Sequence, residues 1–112
     1  MALTNIEKTI KSINNGKDAK DRAVSYEKRR AYGDAYACYA EAYGAFDLAV
    51  EYAFVCVVKE NNVELADTYY QAKAERRECL EKAFEMSALL KASQNKKTGN
   101  TQPVKADDKK VK

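Results

Sequence analysis

Four carboxylates at helical spacing in the middle of this chain are the first residues that suggest chemistry. They lie in a segment without Lys or Arg that spans residues 31–58, and they are Asp34, Glu41, Asp47 and Glu51. Carboxylates on facing helices can bind metal ions, but the di-metal bundles that do so also use Glu-x-x-His motifs, and this chain has no histidine. We therefore interpret the row as an acidic surface and predict no metal, no cofactor and no small-molecule substrate.

The three cysteines, Cys38, Cys56 and Cys79, are widely spaced and form no C-x-x-C motif. A structural zinc site needs four Cys or His ligands, which one chain of this composition cannot supply. Without histidine there is also no Ser-His or Cys-His pair for nucleophilic catalysis, so we predict that the protein is not an enzyme. Isolated cysteines in apolar settings are typical of buried thiols in a reducing compartment. With no signal peptide or membrane span in the pattern, we predict a cytoplasmic protein.

A basic cluster precedes the apolar segment and offers an alternative function. Its most prominent members are Arg22, Lys28, Arg29 and Arg30, and tyrosines follow directly. Basic groups beside aromatic rings can bind single-stranded nucleic acid through phosphate contacts and stacking. Acidic residues are interleaved, however, and residues 34–93 are net negative. Nucleic-acid binding is therefore the alternative to our preferred hypothesis.

The periodicity of the apolar residues predicts an all-α protein with a short first helix and two long ones. The first begins with the capping-box pair Thr4 and Glu7, carries apolar residues from Leu3 to Ile13, and ends at Asn14-Asn15-Gly16. The second runs from about residue 18 to 60 as one helix, with a bend at Gly33; a stop there, with Asp34 as a fresh cap, is the alternative. A turn at Asn61-Asn62 leads to a third helix over residues 63–93. Residues 1–93 thus form one helical domain, and the Lys-rich segment 94–112 is predicted to be a disordered tail.

The second and third helices are predicted to form an antiparallel hairpin in which contacting residues have numbers that sum to about 122. In this register the large residues of a tyrosine-containing stripe (Tyr32, Tyr36, Tyr39, Tyr43) face smaller residues of the third helix. Arg76 lands beside Phe46 and Asp47, where ring stacking and ion pairing offset the cost of its burial.

A second apolar stripe on the second helix has no obvious partner in the chain, because the short first helix cannot cover it. We therefore predict a face for a protein partner, with a homodimer that forms a four-helix bundle favoured. Together with spare apolar residues of the third helix, this face comprises Ala35, Cys38, Ala42, Ala45, Ala49, Tyr52, Cys56, Tyr70, Leu80 and Phe84.

These patterns favour a non-enzymatic protein–protein interaction factor that acts through helix faces and associates with itself. By analogy alone, small helical proteins of this kind are often accessory, adaptor or inhibitory factors, including those of viruses and phages. A structural subunit of a larger assembly is a further alternative. No membrane role is expected, since the basic residues do not lie opposite a strongly apolar face.

Overall fold

Three α-helices and two short helical turns make up the part of the chain that the structure describes. The structure is a computed structural model, and it describes residues 2–98. The helices are α1 (Asn5–Lys28), α2 (Tyr32–Phe54) and α3 (Ala66–Thr98). α2 continues into a wider π-helical turn (Val55–Lys59), and a 3-10 turn (Val63–Leu65) leads into α3. The predicted all-α class is confirmed.

The first helix is longer than predicted. Its capping box is present: the Glu7 amide donates to Thr4 Oγ1 (3.1 Å), and the Thr4 amide donates to Glu7 Oε1 (2.9 Å). The predicted end at Asn14-Asn15-Gly16 is wrong, because α1 runs through these residues to Lys28. Gly16 is buried against the ring of Phe46, and a Cβ at this position would lie 2.8 Å from two ring carbons. The glycine therefore serves the close approach of two helices and does not end one.

The predicted continuous helix over residues 18–60 is also wrong, because the chain reverses between α1 and α2. Arg30 adopts a left-handed backbone conformation (φ 61°), and the Ala31 amide donates to the Tyr26 carbonyl (2.9 Å). These features close α1 in the way that a glycine usually does. The break thus precedes Gly33, and the first residue of α2 is Tyr32. The alternative of a stop at Gly33 with Asp34 as the cap is likewise not what the structure has.

The hairpin of α2 and α3 has the predicted turn and register. Asn61 is left-handed (φ 56°), and the Asn62 amide donates to the Cys56 carbonyl (2.8 Å). Along the seam, buried clusters join Tyr39 to Ala83, and Val50 to Ala72. These pairs follow the predicted register. Tyr36 was predicted to face the third helix as well, but it is 43% exposed and belongs to none of the buried clusters, so that part of the prediction is wrong.

α2 is the central helix, because both α1 and α3 pack along it while α1 and α3 hardly meet. The buried residues of α1 are all small: Thr9, Ser12, Gly16, Ala19 and Ala23. Ala19 and Ala23 lie against small residues of α2, and Gly16 admits the Phe46 ring, so the two helices pack closely along the buried stretch of α1. The larger residues Ile6 and Ile10 stay exposed.

The segment 94–112, which was predicted to be a disordered tail, is described only as far as residue 98. α3 extends to Thr98, so the first residues of the segment 94–112 belong to a helix. The rest of that segment, residues 99–112, lies outside the described residues.

Two glycine substitutions test the close approach of α1 and α2. Gly16→Ala is expected to lower the free energy of unfolding by about 1–2 kcal/mol, because displacing the buried Phe46 ring outweighs the better helix propensity of alanine. Gly44→Ala is the matched control, since a Cβ there meets nothing within 4 Å. It is expected to raise the free energy of unfolding by about 0.5–1 kcal/mol. Urea unfolding at low protein concentration measures both, and stabilisation by Gly16→Ala would contradict the packing.

Candidate interaction surface

The α2 stripe that was predicted to face a partner is covered within the chain by α1. Its fully or almost fully buried members are Ala35, Cys38, Ala42, Ala49 and Cys56. Ala45 is half-buried, and so is Tyr52, whose ring lies under the Lys8 ammonium group at 5.5 Å. The premise that α1 is too short to cover this stripe is wrong, since α1 has 24 residues. The α2 part of the predicted face is therefore not available to a second molecule.

The α3 part of that face remains exposed, and α2 adds a surface that the sequence reasoning missed. Tyr70, Leu80 and Phe84 expose 66%, 38% and 66% of their surface. On α2, the exposed large apolar residues are Tyr36, Leu48 and Phe54, whose side chains are 43–46% exposed. We define the outer face by its exposed members, which are Tyr36, Ala37, Ala40, Gly44, Leu48, Glu51 and Phe54 of α2, and Lys73, Arg77, Leu80 and Phe84 of α3.

A signal for this surface was present in the sequence. Gly33, Ala37, Ala40, Gly44 and Leu48 recur at spacings of three and four, as a third stripe on the same helix. The other two stripes of α2 contain larger or more apolar residues and therefore give a stronger pattern. Only the packing of α1 and α3 reveals that this third stripe is the one left uncovered.

A shallow groove of about 570 Å³ runs along the outer face between α2 and α3. Tyr43 lines it from α2, and Arg76, Arg77 and Leu80 line it from α3. Arg76 Nη1 donates to Asp47 Oδ1 (2.7 Å), so the predicted pairing across the hairpin is present. Lys73 and Ala74 complete the α3 wall, so the groove is lined by three basic side chains beside Tyr43 and a few apolar groups.

The charges on the outer face are separated by helix. α2 carries only carboxylates, whereas the outer side of α3 carries Lys73 and Arg77. Among the described residues, Glu51 and Arg77 have no oppositely charged partner, and Lys73 lies over the Tyr69 ring at 5.3 Å. Of the acidic row predicted from the sequence, only Glu51 belongs to the outer face, since Glu41 pairs with Arg22 of α1 and Asp47 pairs with Arg76 of α3.

The opposite side of the molecule is closed by ion pairs between α1 and α3. Lys20 Nζ lies 2.7 Å from Glu75 Oε1 and 2.9 Å from Glu78 Oε1. Lys82 Nζ lies 2.8 Å from Glu27 Oε2. These contacts join two helices that share few others, so this side presents charged groups that are already paired.

Glu27 is the centre of this polar network. It accepts a hydrogen bond from the hydroxyl of the buried Tyr39 (2.7 Å) as well as from Lys82. Burial raises the pKa of Glu27, but the hydrogen bonds from Lys82 and Tyr39 outweigh it and hold the pKa below its ordinary value of 4.5. The pKa of the Tyr39 hydroxyl is raised, first by burial and then by its bond to the carboxylate. The network therefore keeps Glu27 ionised at neutral pH.

The three cysteines are free thiols and are buried, as predicted. Burial raises the pKa of the Cys79 thiol to about 11, and it also raises the pKa of Cys56. Both side chains have no exposed surface, while Cys38 keeps 7%. Among the described residues no group of three or more carboxylates or thiols is placed to hold a metal ion.

The candidate polyanion patch is only partly assembled. Arg22 is engaged by Asp18 (3.3 Å) and by Glu41 (2.9 Å). Arg29 lies over the Tyr26 ring at 4.8 Å, and Lys28 and Arg30 are exposed beside it at the turn. The geometry thus leaves three exposed cations in place of a continuous basic surface.

Replacing Glu27 tests the contribution of the network to stability. Because its pKa is lowered in the folded state, Glu27 stabilises the fold above its ordinary pKa of 4.5, and this contribution is lost as the pH falls through the folded value. Glu27→Gln is expected to cost about 1–2 kcal/mol at neutral pH, since it weakens a charge-assisted hydrogen bond. It should also flatten the decline in stability on acidification. Urea unfolding as a function of pH measures both effects, and parallel profiles for the two proteins would contradict the assignment.

Thiol labelling tests the burial of the cysteines. With a disulfide reagent at neutral pH we expect Cys38 to react first, because it alone keeps exposed surface, and Cys56 and Cys79 to react only as the protein unfolds. The unfolded protein in urea is the control, in which all three thiols react at similar rates. Rapid labelling of Cys79 in the folded protein would show that the α2–α3 seam is open.

None of the described helices is long and apolar enough to cross a membrane. Comparison of the chain with protein-family models, with curated proteins and with solved structures finds no match in any of the three.

Proposed function

We propose that this chain is a non-enzymatic protein–protein interaction factor, an accessory, adaptor or inhibitory protein, that acts through the outer face of α2 and α3. The observation that supports this function is the exposed apolar surface of that face. Leu48, Leu80 and Phe84 stay accessible there, although burial of such a side chain contributes about 1.5–3 kcal/mol. Contiguous apolar patches of this kind mark interaction sites in soluble proteins.

The rest of the molecule supports the same assignment. The α1 side of α2 is covered by small residues, and the gap between α1 and α3 is bridged by Lys20 and Lys82. The outer face is a surface of two packed helices, so its side chains are held in position before binding. Such a preformed surface loses little conformational entropy on association.

A substitution on the outer face tests this function. Phe84→Glu is expected to leave the fold intact, since the side chain is 66% exposed, and to weaken binding by about tenfold or more if Phe84 is a central contact. Affinity capture with the tagged protein from cells that express it identifies candidates, and the binding of each purified candidate to the purified chain is then measured by calorimetry.

Asp21→Lys is the matched control, because Asp21 is exposed on α1 and is not part of the outer face. A partner that binds the wild type and Asp21→Lys but not Phe84→Glu supports the proposal. A partner whose affinity is the same for all three proteins, or no partner other than the chain itself, contradicts it.

A further inference from the structure

We infer that the outer face binds a second copy of this chain, with the two-fold axis parallel to the α2–α3 hairpin. In this arrangement α2 of each copy lies beside α3 of the other, and the four helices form a bundle in which every neighbour is antiparallel. The inference rests on the proposed function, since it names a partner for the same face. It is supported by three properties of the face: its side-chain sizes, its charges and its extent.

The symmetry fixes which residues meet. A two-fold axis parallel to the hairpin leaves the height of each residue along the hairpin unchanged. Each residue of α2 has a set of α3 residues at its own height within the chain. In the dimer it meets the same set of residues on α3 of the second copy. Within the chain, contacting residues such as Tyr39 and Ala83 have numbers that sum to about 122, so the same sum applies between copies.

Side-chain sizes on the outer face match in this register. On α2 the outer face has small side chains at Ala37, Ala40 and Gly44, and on α3 it has large side chains at the corresponding heights. Phe84 faces Ala37, Leu80 faces Ala40, and Arg77 faces Gly44. Large residues of one copy thus fill the spaces over small residues of the other, as interdigitating helices require.

Gly44 has no explanation within the chain. A glycine inside a helix costs about 1 kcal/mol relative to alanine. At Gly16 this cost is offset by contact with Phe46, whereas a Cβ at Gly44 would meet nothing within 4 Å. Close approach of a second helix over Gly44 gives this residue the role that Phe46 gives Gly16.

The charges match in the same register. Lys73 of one copy lies at the height of Leu48 of the other, and Glu51 is one helical turn further along, within reach of the long lysine side chain. Within the described residues neither Glu51 nor Lys73 has an oppositely charged partner in its own chain. The alternative face-to-face dimer has its axis perpendicular to the helices and stacks α3 on α3. Where that axis crosses α3 near residue 75, Lys73 of one copy faces Arg77 of the other, and like charges at an interface oppose association.

The face is also large enough. α2 and α3 run side by side for about 35 Å at 1.5 Å per residue, and two helices spaced 8–10 Å apart present a strip about 20 Å wide. This corresponds to roughly 700 Å² per copy, close to the ~800 Å² per partner of a standard stable interface.

Charge reversal in the full chain tests the arrangement by sedimentation equilibrium over a concentration series. The wild type is expected at twice the chain mass of 12.6 kDa at high concentration. Glu51→Lys and Lys73→Glu are each expected to weaken the dimer about tenfold or more, because each reversal places two like-charged pairs in the interface. The double variant with both reversals restores the opposite charges and is expected to recover most of the wild-type affinity. Asp21→Lys is the control and leaves the dimer unchanged.

A second variant addresses packing. Gly44→Leu is expected to weaken the dimer about a hundredfold, since it fills the space for the second copy's helix at two symmetric places. Circular dichroism confirms that the variant remains folded, because the position is open within the chain.

The inference is overturned if the wild type remains a monomer up to about 1 mM, which corresponds to negligible affinity. It is also overturned if the double reversal fails to restore a dimer that the single reversals weaken. A monomeric wild type whose Phe84→Glu variant loses a different partner leaves the proposed function standing without this inference. A dimer with the expected charge dependence but with no other partner supports the inference and contradicts the adaptor function.

Discussion

The contact between Phe46 and Gly16 is the interaction on which the arrangement of the three helices depends. The Phe46 ring, 1% exposed, lies against α1 on one side and near Cys79 of α3 on the other, in one buried cluster. The ring can lie this close to α1 because Gly16 has no side chain, and a Cβ there would be 2.8 Å from two of its carbons. Since α1 and α3 hardly touch each other, this ring and the polar contacts between them set the angle at which they flank α2.

The side of α2 that faces α1 and α3 differs from the opposite side in its charges and in how far it is covered. On the side of Phe46, Lys20 and Lys82 pair with carboxylates across the gap, and the Glu27 carboxylate collects bonds from Lys82 and Tyr39. These ion pairs are partly exposed, so each contributes modestly to stability, but together they specify one position of α1 relative to α3. On the other side no helix of residues 2–98 covers α2, and its exposed residues continue onto α3 as the outer face.

Small residues of α2 have two roles in this protein, one on the side that faces α1 and one on the outer face. On the α1 side of α2 they permit a close intramolecular contact that buries Ala42, Ala49 and Cys56 completely. On the outer face Ala37, Ala40 and Gly44 have the same spacing but no covering helix within the described residues. On the outer face the acidic residue lies on α2 and the basic residues lie on α3. The charges of one copy are therefore complementary to those of a second copy related by the two-fold axis.

Much of the fold could be predicted from the sequence alone. The helix class, the capping box at Thr4, the turn at Asn61-Asn62, the hairpin register and the Arg76–Asp47 pair all follow from local spacing and from the match of side-chain size across two long helices. These features depend on residues near in sequence or on a register that one turn fixes, so the pattern contains the necessary information. The buried state of the three thiols follows in the same way.

Only the tertiary structure decided the length of α1 and hence which face of α2 stays open. A glycine after two asparagines can end a helix or admit a neighbouring ring, and the choice depends on Phe46, which lies 30 positions away in the sequence. The reversal at Arg30 was equally hidden, because its left-handed conformation is rare for arginine and is maintained by the packing of α1 along α2. Three stripes with the same period are present on α2, and local sequence assigns none of them to a partner. The assignment of each stripe to α1, to α3 or to the outer face follows from how much apolar surface the neighbouring helices bury.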